Sequence, residues 1–461
     1  MKNEKIIDSQ DNQEVELQEE KVQSEELSVE KVEVAEDTKK KEEPKATKTE
    51  PKQKSERILS IDRFRGLCMF AMVCSFILGI FAAFSPLAPV FEHFKPGSNN
   101  GAFQVLPGVS FADLFAPMFI FVIGLTMVSS FKKREEKYGT KRAYLQLATR
   151  FLALIGVGAL LNGFENLWAD VFLGKASFGA YPLNLQIHAI CFWIAIALAI
   201  NMIVASFVKN DKYKTISNYI LRIFLAINGL LCLICMIACT GNALGHSETF
   251  KVDATWDTLQ NIGLAGLMAL PFVKFSKGGK LTMVIISFTA MTTFIQHGGF
   301  GFTSTYIEGG IIGGFGWACI LLLGSIFAEL KDDDKKYWVL TVLLLLTSVI
   351  LTVAFNFTAA KRGCTPVYAM FASAVAAIIW GGLNCLNNWK PKFDFFALWG
   401  SNSIMTYITN YIVVALILGG LLETTVGALP IWAAIIIAVA ILSAFTAANW
   451  YMRKKKVYIR I

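Results

Sequence analysis

Hydrophobic positions in this chain come in long unbroken runs, and the runs begin only after residue 57. About twelve of them approach the roughly 20 apolar residues that a helix needs to cross a bilayer. They lie near 62 to 83, 111 to 131, 143 to 163, 185 to 207, 217 to 239, 258 to 273, 281 to 297, 309 to 330, 337 to 357, 366 to 386, 398 to 420 and 430 to 452. The pattern predicts an all-α polytopic bundle of about 10–12 transmembrane spans. The run at 258–273 is the weakest, being short and carrying Gly263, Gly266 and Pro271.

Residues 1–56 show no such run. They hold no aromatic residue and few branched apolar ones, so they cannot bury enough surface to offset the entropy of ordering. The expected organisation is a disordered charged tail, 1–56, followed by a membrane domain, 57–461. Short Val/Leu/Glu/Lys patterns between Glu14 and Glu36 leave room for a transient helix or a partner-binding segment. The tail has no apolar core of the kind a secretory signal needs.

Composition excludes an ordinary soluble domain: 54% of the residues are hydrophobic and the mean hydropathy is +0.51. The net charge of +8 conceals a division, because the tail holds 17 of the 35 acidic groups and 11 of the 43 basic ones. The remainder carries 32 basic groups against 18 acidic, placed in short loops, which points to membrane topology rather than to nucleic acid. Basic clusters fall at Lys132 to Arg142, Lys209 to Lys214, Lys274 to Lys280, Lys331 to Lys336, Lys390 and Lys392, and Arg453 to Lys456. The opposite loops hold only Lys95, Lys175, Lys251, Lys361 and Arg362. By the positive-inside rule both termini are cytoplasmic, and His93, His188, His246 and His297 all fall on or near the other face.

The nine cysteines make no disulfide framework, since most lie inside apolar runs. Cys232, Cys235 and Cys239 share one helical face, but with no His or carboxylate beside them they read as small hydrophobes. No histidine spacing supports zinc, and no metal is predicted.

Two stretches carry candidate chemistry. In Arg57-Ile-Leu-Ser60-Ile-Asp62-Arg63-Phe64-Arg65-Gly66-Leu67, an acid and two arginines stand at the mouth of the first span. Ser60 and Asp62 suit a helix N-terminus and the arginines suit interfacial anchors. Alternatively Arg65, one turn inside, binds a phosphate or the polar arm of a cofactor. In Pro107-Gly108-Val-Ser110-Phe-Ala-Asp113-Leu-Phe-Ala-Pro117, Asp113 either satisfies free N–H groups at a helix start or orients and charge-stabilises a nearby histidine.

Together these motifs resemble the heparan-alpha-glucosaminide N-acetyltransferase family, within a wider group of multi-span membrane acyltransferases. The pattern is Ser-x-Asp-x-x-Arg-Gly-Leu opening one span and Gly-x-[Ser/Thr]-x-x-Asp-Leu-x-x-Pro-x-Phe-x-Phe-x-x-Gly opening the next. Lys361-Arg-Gly-Cys-Thr365-Pro366-Val-Tyr368 and Leu398-Trp-Gly400-Ser-Asn402-Ser-Ile-Met-Thr-Tyr407 extend it, so that it covers about 57 to 420. The resemblance implies acetyl transfer from cytoplasmic acetyl-CoA to an acceptor, often a sugar, across the membrane, with a catalytic histidine in the loop between the first two spans. The chain departs where many members have His-x-x-Trp-x-Gly before the second span: it reads Phe103-Gln104-Val105-Leu106-Pro107-Gly108. The Asn usual late in the first span is replaced at Ser75-Phe76. It is more similar to a bacterial branch with Pro-Gly there and a histidine about fifteen residues upstream, where His93 stands.

The expectation is therefore an inner-membrane acyltransferase with a CoA thioester as donor and an extracytoplasmic glycan or amino-sugar acceptor. His93 and Asp113 are the candidate catalytic pair, and Asp62, Arg65 and Arg150 the candidate donor-binding groups. An imidazole fits the task because it titrates near the pH at which an acceptor must lose a proton. Arg150 lies about two turns into the third span, a costly position, with CoA phosphates or Glu329 as partners. His188, His297, Lys361, Asn402 and Tyr407 are further candidates, the two histidines also suiting helix-end hydrogen bonding. The glycines from Gly309 to Gly316 read as a close-packing stripe. The rival readings are a transporter or flippase-like carrier, although the two halves of the chain show no convincing repeat, and a membrane scaffold without catalysis. The pattern does not fix an oligomeric state.

Overall fold

The apolar runs fold as helices, accompanied among the described residues by one small hairpin. The computed structural model describes residues 58–80, 88–94, 102–172, 174–208, 210–245, 256–305, 307–389, 391–413 and 430–455. The tail, 1–57, together with His246 and the stretch 414–429, lies outside the described residues. The long helices are α1 (Leu59–Ile80), α2 (Phe115–Tyr138), α3 (Thr140–Gly163), α4 (Leu183–Phe207), α5 (Asp211–Gly245) and α6 (Thr258–Ala269). They continue as α7 (Lys277–Phe294), α8 (Gly310–Leu330), α9 (Asp334–Val353), α10 (Pro366–Cys385), α11 (Phe395–Ser401), α12 (Ser403–Asn410) and α13 (Ile431–Lys454). Strands β1 (Gln104–Leu106) and β2 (Val109–Ser110) pair antiparallel ahead of α2.

Among the described residues nine helices are long and apolar enough to cross a membrane. α1 has the length of a further span, 22 residues, with Asp62, Arg63 and Arg65 in its first two turns. Two expected spans take another form. The run at 258–273 is α6, only 12 residues and so about 18 Å long, closed by a 3-10 turn at Leu270–Phe272. Pro271 sits in that turn, where its missing N–H cannot continue an α-helical ladder. The run at 398–420 is divided at Asn402 (φ −130°, ψ 41°) into α11 and α12, and residues 414–420 lie outside the described residues.

Helix starts follow local chemistry. The side chains of Ser276, Asp333, Thr365 and Asp394 each accept from a backbone N–H in the first turn of α7, α9, α10 and α11. Asp257 and Gln260 form a reciprocal capping pair at α6. α2, α8 and α10 are buried along most of their length, while α7, α9 and α13 present Ile285, Val339, Leu343, Ile435 and Ile436 outward. Such an apolar exterior suits lipid, in which packing between helices rests on close fit rather than on expulsion of water.

Small residues supply that fit. A Cβ on Gly66 of α1 would lie 1.7 Å from the Phe396 carbonyl oxygen, and one on Gly400 of α11 would lie 2.0 Å from that of Asp62. Gly156 of α3 and Gly229 of α5 meet in the same way, each Cβ position being 1.9 Å from the opposing carbonyl. Gly316 of the α8 stripe lies against the Cys364 carbonyl, in keeping with a packing role.

The motif that opens α1 also ties the basic end together. Arg63, 3% exposed, places Nε 2.7 Å from Asp394 and Nη1 2.6 Å from the Leu386 carbonyl. Its Nη2 donates to the Trp389 carbonyl, and the guanidinium lies 5.3 Å from the Trp389 ring centre. Ser60 N–H donates to Asn387 at 3.0 Å. Arg63→Lys is expected to lower stability by about 1–3 kcal/mol, because an ammonium cannot serve this fork and leaves buried acceptors unmatched. Thermal unfolding of the detergent-purified chain measures it, and an unchanged midpoint contradicts it.

Candidate functional site

At the end of the bundle opposite the basic loops, the hairpin delivers Asp113 to His93. Gly108 turns the hairpin with φ +87°, and a Cβ there would meet the Ala359 carbonyl oxygen at 2.2 Å. This contact sets the hairpin against the loop before α10 and the Asp113 turn near Lys361. Asp113, 1% exposed, sits in the 3-10 turn Ala112–Leu114. Its Oδ2 accepts from the Ser110 N–H and hydroxyl, both at 2.9 Å, and from the Phe94 N–H at 3.3 Å. Its Oδ1 lies 2.8 Å from Nδ1 of His93. The backbone is held too: the buried Tyr368 hydroxyl donates to the Asp113 carbonyl at 2.6 Å.

The consequence is a fixed tautomer. An ionised carboxylate only accepts, so Nδ1 of His93 carries the hydrogen in this contact and the ring lone pair falls on Nε2. The His93 side chain is 51% exposed whereas that of Asp113 is 2% exposed, so the imidazole reaches outward from a buried acid. That is the arrangement of an oriented general base.

A second charged pair lies alongside. Lys361 Nζ is 2.5 Å from Oε1 of Glu308, with side chains 16% and 4% exposed. Burial works against the Lys361 ammonium, but the carboxylates of Glu308 and Asp113 outweigh it and raise its pKa above the ordinary lysine value. Burial pushes the Glu308 carboxyl up, against the pull of Lys361. The charge of His93 also acts on Glu308, which places both pairs in one electrostatic group.

The backbone around the second pair is strained. Glu308 (φ 63°) and Cys364 (φ 44°) occupy the left-handed region that non-glycine residues avoid. The Glu308 carbonyl accepts from the Trp317 indole at 3.0 Å, and Gly309 lies so close to Gly363 that a Cβ would be 2.6 Å from its Cα. The two loops are thus locked face to face, which holds Lys361 on Glu308.

Beyond this group the Tyr411 hydroxyl donates to Glu165, and Tyr407 stacks on Tyr411 with ring centres 6.2 Å apart. The charges of Asp257 and Glu308 act on Tyr407, and Tyr407 bonds to Thr258, the first residue of α6. Among the described residues the site therefore gathers the carboxylates of Asp113, Glu165, Asp257 and Glu308 around Lys361.

Of the sequence candidates, the structure brings together His93, Asp113 and Lys361, with Tyr407 nearby. It leaves the others elsewhere. Arg65 lies 3.7 Å from Asp62 at the far end, and Arg150 lies within α3. Glu329, one of the partners considered for Arg150, is engaged by the fully buried Lys280. His188 is buried in α4 against Gly163, and Nδ1 of exposed His297 donates to the Thr293 carbonyl at 2.7 Å. Asn402 sits in the break between α11 and α12. Sequence reasoning missed Glu308, Glu165 and Asp257. Glu308 carried one legible sign, a lone acid directly before Gly309-Gly310 at the mouth of a span.

No family model and no curated protein matches the chain.

Proposed function

We propose that the chain is a membrane-embedded acyltransferase of the plasma membrane of a bacterium, with both termini cytoplasmic. It moves an acetyl or other acyl group from cytoplasmic acetyl-CoA to an extracytoplasmic sugar or glycan. The reading is supported above all by the His93–Asp113 contact at 2.8 Å, an imidazole oriented by a buried acid on the face away from the basic loops. His93 takes the proton from an acceptor hydroxyl or amine as that group attacks the thioester carbonyl. The C–O or C–N bond forms, the C–S bond breaks, and the proton returns to the CoA thiolate. Lys361, cationic beside Asp113, favours the negative charge that develops on the carbonyl oxygen.

Residue packing sets a condition on this reaction. Phe64, Phe121 and Phe327 are fully buried and in ring contact in the basic half of the bundle, so the donor arm must pass beside them or part α1, α2 and α8. In lipid nanodiscs, the full chain with acetyl-CoA and a panel of amino sugars and glycans is expected to release CoA thiol only when an acceptor is present. Neither CoA affinity nor thiol release with any acceptor would sink the proposal.

A second reading, a carrier, draws support from buried carboxylates combined with a helix interrupted at Asn402, features that line polar paths in transporters. Uptake into sealed vesicles that is indifferent to loss of His93 would favour it.

A further inference from the structure

Two arginines at the basic end stand in a setting that the His93 chemistry does not use. Arg134 lies one turn from the end of α2, and Arg222 three turns into α5, inside a segment long and apolar enough to span a membrane. α3 packs against both helices, through Phe131 on Tyr144 with ring centres 4.8 Å apart and through Gly156 on Gly229. Arg134 Nη1 donates to the Ser130 carbonyl at 2.9 Å and to its hydroxyl. Arg222 Nε is enclosed and makes no hydrogen bond among the described residues.

The charge that acts on Arg134 most strongly is that of Arg222, and among the described residues neither arginine is paired with a carboxylate. The nearest acid along the chain, Glu135, is engaged by Lys274 at 2.8 Å. Partly buried guanidinium groups cost free energy unless something anionic faces them, and two that repel each other cost more. A guanidinium fork matches the oxygens of a phosphate and holds its charge when desolvated. The surrounding helices are apolar, so the molecule that carries the phosphate has an apolar or extended remainder.

We propose that Arg134 and Arg222 form a phosphate-binding site at the basic end of the bundle, between α2 and α5, for the phosphate of an amphiphile. Two sources share this chemistry: the phosphates of a CoA thioester, which would place the donor's entrance here and rests on the acyltransferase reading, and the headgroup of an anionic phospholipid, which does not.

The test uses the full chain in nanodiscs of phosphatidylcholine alone or of equal parts phosphatidylcholine and phosphatidylglycerol. CoA affinity is measured by calorimetry in the first, and retained phosphatidylglycerol by native mass spectrometry in the second. Arg222→Gln should weaken one of these about tenfold, and Arg134→Gln with Arg222→Gln by about tenfold more. Arg222→Glu guards against simple misfolding. It gives Arg134 a carboxylate partner, so thermal stability should hold or rise while phosphate binding is lost.

Loss of CoA affinity assigns the site to the donor. Loss of retained phosphatidylglycerol with CoA affinity unaffected assigns it to lipid. If the wild-type chain binds no CoA yet loses phosphatidylglycerol on substitution, the acyl-donor reading falls and the phosphate site stands. Folded variants that keep wild-type binding of both, Arg222→Glu included, overturn the site and leave the acyltransferase reading untouched.

Discussion

His93→Ala is expected to reduce acyl transfer by about a hundredfold to ten-thousandfold while leaving CoA affinity unchanged, the range that a positioned acid–base group contributes. The loss should fall on kcat rather than on KM, because the imidazole acts as the acceptor loses its proton. Asp113→Asn is the sharper variant. It keeps the size of the side chain and can keep its bonds from Ser110 N–H and the Ser110 hydroxyl. It removes the charge that holds the proton on Nδ1, so the amide is free to select the other tautomer and the rate should fall with little loss of folding. Acyl transfer assayed with saturating acetyl-CoA, together with a thermal midpoint, separates this from destabilisation. Full activity in His93→Ala removes the base, and with it the mechanism.

Lys361→Ala should destabilise the fold by about 3–5 kcal/mol, since Glu308 would be left as an uncompensated buried charge in a strained loop. Adding Glu308→Leu to Lys361→Met should recover much of the loss, because an apolar pair of similar volume carries no charge out of water. The single variant's penalty should also depend on pH. Without Lys361, burial raises the Glu308 carboxyl further, so the folded chain can hold it protonated in acid. Stability is then lost as pH rises from the ordinary glutamate value of 4.5 through the raised folded one. In the unmodified chain the raised pKa of Lys361 keeps its contribution whole at neutral pH, to fade only above the ordinary lysine value of 10.5. Thermal midpoints of the single and double variants at acid and mildly alkaline pH measure both effects. A Lys361→Ala variant as stable as the parent at alkaline pH would refute the argument.

The helical class was legible because apolar runs of bilayer length have few alternatives. The pairing of Asp113 with a loop histidine was legible only as one of two readings of its motif, and His93 was singled out through the family resemblance rather than by any local pattern. Less of the charge network could be read. Lys361 stood in a quoted motif, but its partner Glu308 lies 53 positions earlier in the chain. By its sequence Arg63 reads only as an interfacial anchor, with Arg65 as the alternative phosphate binder, whereas Arg63 makes the deep contacts with Asp394, Leu386 and Trp389. Two residues on a helix turn a side chain by about 200°, so Arg63 and Arg65 point to nearly opposite faces, and only the neighbour's position says which of the two faces inward.

Local order of residues thus determined where the chain is helical, which stretches suit a bilayer, and which loops carry the cations, because those properties depend on near neighbours and on the solvent. Tertiary structure alone decided that Glu308 meets Lys361, that Lys280 meets Glu329, and that Arg222 comes near enough for its charge to act on Arg134. Charges in a poorly polarisable interior are governed by which distant groups come within a few ångströms, and that distance is set by the packing of helices rather than by spacing along the chain.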